Sequence, residues 1–323
     1  VAGFVVRRVL SRAVLVVLAG SLAYLLAASV LDPRAAFEGR TPRPPEAVVD
    51  ARLDSLNLND RTPLADRYRT WALGVLHGDF GRTQEGEPVD AELWRRLGVS
   101  LRLLVPGGVV GGVLGILVGA YAAAKRGRVA DRVVTGGACL LLAVPVFVLA
   151  VLLQAAAAMV NDALGVRVFV WVGEGEPRDF ADQVRHLLLP MAVIALAQCA
   201  LYSRYQRGLM LDVLRADFVR TARAKGLSRR DALLRHGLRT AFVPMTTYFA
   251  YASGLLILGG VFTEKVFGRH GLGEWLVDSM ARGDVNAVAA IDCVAACSVL
   301  LAGLVSDVLN GVLDPRVRSG AVP

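Results

Sequence analysis

The chain has 323 residues, of which 55% are hydrophobic and 20% charged, with a mean hydropathy of +0.51. These values exclude an ordinary soluble domain and point to a polytopic membrane protein, long enough for about six spans at roughly 20 residues each. The net charge of +8 does not signal nucleic-acid binding, because the cations cluster in particular loops with no aromatic-basic face beside them.

Arg7, Arg8 and Arg12 open an apolar run at residues 9–31. A charged start and the small residues Ala27, Ala28 and Ser29 are also features of a signal peptide. The run would reach about 34 Å as a helix, more than a ~30 Å hydrocarbon core needs, so a retained first span is expected. Residues 32–97 form a polar block, rich in proline early (Pro33, Pro42, Pro44, Pro45) and most apolar at 71–76. A small helical or irregular domain outside the membrane is expected there. The second span is placed at 101–124, where Gly107, Gly111, Gly115 and Gly119 repeat every fourth residue and share one helix face. Such a face permits close helix approach, either between chains or, more commonly, within one.

The third span is placed at 133–160, with Pro145 inside it and Gln154 as its strong polar group. An acidic stretch at 161–185 leads to the fourth span, 186–205. The basic segment 217–244 follows, DFVRTARAKGLSRRDALLRHGLRTAFVP. It reads as two short helices broken at Gly226, the second capped by Ser228 with Asp231 three residues on. A plain basic loop would also fit that charge, but a linker needs no such internal order, and the segment looks built to dock on something soluble. The fifth span is placed at 241–262 and the sixth at 286–309. Asp292 lies inside the sixth, where a carboxylate facing lipid costs ~2.5–3.5 kcal/mol near the bilayer centre. It lines a path or makes a structural contact with a neighbouring helix. The four cysteines, Cys139, Cys199, Cys293 and Cys297, fall in apolar runs and read as small buried hydrophobes. No zinc spacing, HExxH or other catalytic or metal-binding constellation occurs.

Charge fixes an expected orientation. With both ends inside, the inner segments hold 19 Lys and Arg against six acids, whereas the outer ones hold 17 against 21. Short, strongly positive loops mark the cytoplasmic side, so cytoplasmic termini and an external 32–97 block follow.

The run Phe218-Val219-Arg220-Thr221-Ala222-Arg223-Ala224-Lys225-Gly226-Leu227, followed by Arg235-His236-Gly237-Leu238-Arg239 and Pro244, resembles the cytoplasmic EAA loop in membrane permeases of ABC importers. The variety is that of the dipeptide, oligopeptide and nickel group, B-type subunit. Arg220, Thr221 and Ala222 stand where the general motif has Glu-Ala-Ala. Two more stretches resemble that group: Gly78-Asp79-Phe80-Gly81-Arg82-Thr83 before the second span, and Glu264 with Phe267-Gly268 and Gly271-x-Gly273 after the fifth. His270 replaces the group's usual proline. Asp314-Pro315-Arg316 closes the chain in the group's manner.

The resemblance implies an all-α type I ABC importer permease fold with six transmembrane helices. Its parts are a first span within 1–31, an external insertion at 32–97, a five-helix core at 98–311 with its coupling loop at 208–240, and a cytoplasmic tail at 312–323. It implies a bacterial inner (plasma) membrane location. It also implies a second homologous permease, two ABC ATPase subunits or one fused ATPase, and an external substrate-binding protein. The chain shows no Walker A pattern, so no cofactor is expected in it, and ATP and Mg would be bound by the partner ATPases. Asp217, Phe218, Val219, Arg220, Thr221, Ala222, Arg223, Ala224, Lys225 and Gly226 are the expected ATPase-coupling residues, and Asp292 and Gln154 the expected path residues. Peptides are the expected cargo, with nickel chelates or haem as alternatives. An ion-coupled secondary transporter is the rival of another class; it would need more intramembrane relay groups than Asp292 and Gln154.

Overall fold

The computed structural model describes residues 2–38, 42, 44–176, 178–213 and 260–313. Between 214 and 259 it describes 216, 217, 221, 224, 226, 244, 245, 247–249, 252 and 254. Five helices among the described residues are long and apolar enough to cross a membrane. They are α1 (Ala2–Val30), α5 (Val89–Ala124), α7 (Val146–Leu164), α8 (Phe180–Val213) and α11 (Val285–Leu313). No strand occurs among the described residues. The expected fifth span lies largely outside them, although residues 244, 245, 247–249, 252 and 254 are helical. Large apolar side chains stay exposed along these helices, for example Leu10, Val17 and Leu22 on α1, as a lipid-facing surface requires.

Two helices begin well before their apolar runs. In α5 the first turns are polar, and Glu92 pairs with both Arg95 and Arg96, neighbours one turn away. In α8, Asp179 accepts hydrogen bonds from the N–H groups of Ala181 (2.9 Å) and Asp182 (3.2 Å), capping the start. The third span differs from its expected form. It is two helices, α6 (Val129–Ala143) and α7, separated at Val144, which is extended at ψ 124°. A residue preceding proline is pushed out of the α region, so Pro145 starts α7 instead of sitting inside one helix. Cys139 on α6 is exposed, contrary to the expectation of burial.

The chain forms two compact units. One comprises Val1–Leu101, Ile257–Lys265 and His270–Leu304; the other comprises Arg102–Leu256, Val266–Arg269 and Val305–Pro323. In the first, α1 and α11 run antiparallel. A Cβ at Gly20 would meet Cys293 Sγ, and one at Gly303 would meet the Arg12 guanidinium. The three short helices of the polar block, α2 (Ala35–Glu38), α3 (Glu46–Ser55) and α4 (Leu64–Leu76), sit on one end of this pair. Their core joins Tyr24 and Ala28 of α1 to Leu53, Leu58 and Trp71, and to Val285, Val288 and Ala289 of α11. Tyr24 stacks on Trp71 with ring centroids 4.5 Å apart. Arg12 of α1 and Gly303 of α11 therefore meet at the end of the pair away from the block.

The Gly78–Thr83 motif is a tight turn. Gly78 and Gly81 have φ of 83° and 87°, a region that favours glycine, and the Gly81 N–H donates to Asp79 Oδ1 at 2.7 Å. Asn286 Nδ2 donates at 3.0 Å to both the Arg82 and Leu56 carbonyls, tying the turn and the block to α11. Asp284 caps α11 through the Ala287 N–H and also accepts from the Gln84 N–H. Burial raises the Asp284 carboxyl above its usual range, against those two hydrogen bonds.

In the second unit the four glycines of α5 face α8. A Cβ at Gly107 would meet the Met191 carbonyl, at Gly111 that of Ala195, at Gly115 that of Cys199 and at Gly119 that of Ser203. Both sets advance by four in the same direction, so α5 and α8 are parallel and in contact over four turns. The intervening α6 and α7 must return the chain across the membrane. The glycine face is thus used within the chain.

Candidate functional site

The foot of α8 carries the expected coupling segment. Ala216 N–H donates to the Val213 carbonyl at 3.0 Å as the helix ends. Asp217, Thr221 and Ala224 are helical and exposed, and Thr221 Oγ1 donates to the Asp217 carbonyl at 2.9 Å. Gly226 lies in a turn at φ 93°. Glycine adopts that left-handed backbone without the strain another residue would meet. Phe218, Val219, Arg220, Ala222, Arg223 and Lys225 lie outside the described residues, as do Ser228 and Asp231.

One turn and a half before α8 ends, Arg207 forms a two-point ion pair with Asp131 in the first turn of α6. Nε donates to Oδ1 at 2.6 Å and Nη2 to Oδ2 at 3.0 Å. Asp131 is only 4% exposed. Its Oδ2 also accepts the Gly127 N–H at 2.9 Å. The Arg207 guanidinium first, and then the Gly127 N–H, hold this carboxyl down at about 2, against the opposing effect of burial. The pair is charged throughout the physiological range; its contribution is lost only as pH falls from about 4 toward about 2. In the sequence both residues enter only the count of charges in the inner segments. The available signal was a single acid among Lys125, Arg126, Arg128 and Arg132.

The expected path residues belong to different compact units. Asp292 is half-buried on α11, and among the described residues none donates a hydrogen bond to it. Gln154 on α7 donates from Nε2 to the Val266 carbonyl at 3.2 Å. It holds the end of α9 (Val261–Phe267).

The stretch around Glu264 has a clear local chemistry. Glu264 is fully buried on α9. It accepts Ser100 Oγ–H at 2.6 Å, Gly273 N–H at 2.9 Å and Glu274 N–H at 3.2 Å. Ser100 Oγ in turn accepts the Leu272 N–H at 2.8 Å. Three N–H groups at the start of α10 (Leu272–Arg282) are thereby satisfied by two neighbouring helices, α5 through Ser100 and α9 through Glu264. Burial raises the Glu264 carboxyl above its usual range, more than Ser100 and the two N–H groups lower it. Gly271 lies against this carboxylate and Gly273 against the Val261 backbone, leaving no room for a Cβ at either. His270 Nδ1 sits 2.8 Å from Glu274 Oε2, fastening the first turn where proline was expected. The spacing of Glu264, Gly271 and Gly273 is therefore that of a helix cap supplied from outside.

Residues 115–319 match the family described as binding-protein-dependent transport system inner membrane component. The oligopeptide transport system permease protein OppB of Mycobacterium tuberculosis is 50% identical over 322 residues, covering 98% of each chain. The dipeptide transport system permease protein DppB of Escherichia coli K12 is 33% identical, covering 79% of this chain and 81% of that one. The oligopeptide transport system permease protein AppB of Bacillus subtilis is 31% identical, with 86% and 87% covered. With the helices long enough to span and this similarity along its length, the chain belongs to the family of multi-pass inner-membrane components of binding-protein-dependent transport systems.

Proposed function

We propose that the chain is one of two permease subunits that form the path of an ATP-driven peptide importer, and that its 217–226 segment is gripped by an ATPase. Oligopeptides or dipeptides are the cargo in this reading, as the names of relatives matching most of its length indicate. The chain has no visible means of hydrolysing ATP, so the energy comes from partner subunits holding ATP and Mg. An external binding protein delivers the peptide to the 32–97 side. The termini are cytoplasmic, as the excess of cations over acids in the inner segments requires. The antiparallel α1–α11 pair supports this, since Arg12 and Gly303 meet at the end of the pair away from the block.

The observation that carries the coupling role is that, beyond the end of α8, Asp217, Thr221 and Ala224 are helical and exposed and Gly226 is left-handed. Phe218, Val219 and Ala222 give it apolar contact, and Arg220, Arg223 and Lys225 meet acidic rims. Closure of the ATPase pair then moves the fourth and fifth spans between outward and inward access.

Deleting residues 218–226 is expected to leave membrane insertion intact and to abolish co-purification with the ATPases. Co-purification that survives the deletion removes this role. Uptake into vesicles that needs ATP and ignores an uncoupler separates the reading from an ion-coupled transporter.

A further inference from the structure

We propose that Asp131 and Arg207 form a mechanical latch that makes the α5–α6 turn move with the foot of α8. A push on 217–226 then reaches α5 and α6 as well as α8. The proposal rests on the coupling role of that segment.

Three observations carry it. The first is position: Arg207 stands between the membrane part of α8 and Asp217, so any displacement entering at Asp217 passes it. The second is the form of the contact. Along the seam between α5 and α8 the glycines are set against Ile194, Gln198, Tyr202 and Gln206, and at the foot of the pair Ala123 packs on Met210, both fully buried. Such packing holds the helices close but is not directional. A planar guanidinium bonded at two points has one geometry, and slipping breaks both bonds together. The third is that Asp131 is itself fixed. The Gly127 N–H and the Thr135 hydroxyl, the latter at 3.4 Å, hold it within its own turn. Arg207 therefore grips a rigid point and not a mobile side chain. The ion pair gives the packed α6 and α8 one directional fixed point.

The test uses proteoliposomes holding the complete transporter, the external binding protein and a tripeptide as probe. Both ATP hydrolysis and peptide uptake are measured. For Asp131→Asn we expect assembled complexes whose hydrolysis stays within about twofold and whose uptake per ATP falls about tenfold, in the usual range for coupling between sites. Arg207→Lys, which keeps the charge but loses the two-point geometry, is expected to fall between that variant and the parent. A purely architectural role would lower the amount of complex and not this ratio. An unchanged ratio in Asp131→Asn overturns the proposal. If that variant does not assemble, Arg207→Lys decides by the same ratio; failure of both to assemble assigns the pair to folding alone and also overturns it. The coupling role fails separately, through co-purification that survives the 218–226 deletion.

Discussion

Glu264→Ala is expected to lower the thermal midpoint of the detergent-solubilised chain by about 10 °C or more, and Glu264→Gln to leave it nearly unchanged. The alanine variant strands the Gly273 and Glu274 N–H groups and the Ser100 hydroxyl in a region closed to water. A buried donor left without a partner costs about 1–3 kcal/mol, so three together reach several kcal/mol. That is a large share of a total stability of ~5–15 kcal/mol, and each kcal/mol moves the midpoint by about 2–4 °C for a chain section of this size. The glutamine variant keeps an oxygen for both N–H groups, while its amide donates to Ser100 Oγ in place of accepting from it. Only the serine proton must find a new direction. The sign of the pH effect agrees. Folding raises the Glu264 carboxyl above its ordinary value, so its contribution is complete at low pH and is lost as pH rises through the raised value. Glutamine imitates the protonated form. A thermal-shift series over pH checks both statements, and equal losses in the two variants would show that the cap is not what Glu264 provides.

Gly115→Leu is expected to prevent the chain from accumulating, whereas Gly136→Ala is expected to be tolerated or slightly stabilising. A Cβ at Gly115 would stand 2.6 Å from Tyr202 Cβ and 2.9 Å from the Cys199 carbonyl oxygen. Those atoms belong to the body of α8 and cannot swing away, so the two helices must separate along the whole seam. Overpacking costs typically ~1–3 kcal/mol even in cores that can adjust, and here it also removes the close contact that holds parallel helices together in lipid. Gly136 on α6 has open space around the same position. Alanine there gains roughly 0.5–1 kcal/mol in helix preference. Immunoblotting of membrane fractions, followed by size-exclusion profiles in mild detergent, distinguishes the two outcomes.

The spans were legible because lipid imposes a simple rule of long apolar runs. The block at 32–97 was expected to hold helices, but the start of α5 at Val89, through polar turns held by Glu92 and its arginines, is not something hydropathy registers. Pro145 was visible, but whether it bends one helix or divides two is decided by the backbone of Val144. The glycine repeat announced a close contact without naming α8 as its partner. The Asp131–Arg207 pair joins residues 76 apart, each of which reads alone as a loop charge. The Glu264 motif was recognisable by resemblance, yet its purpose emerges only when Ser100 and the start of α10 are brought to the same carboxylate.

The Tyr24–Trp71 stack carries a burden for biosynthesis. Its last wall is Val285, Val288 and Ala289, which leave the ribosome long after Tyr24 has entered the bilayer. Through most of translation the earliest-made part of the protein therefore presents an unfinished greasy surface to its surroundings. A chain arrested before its final hydrophobic stretch never conceals that surface.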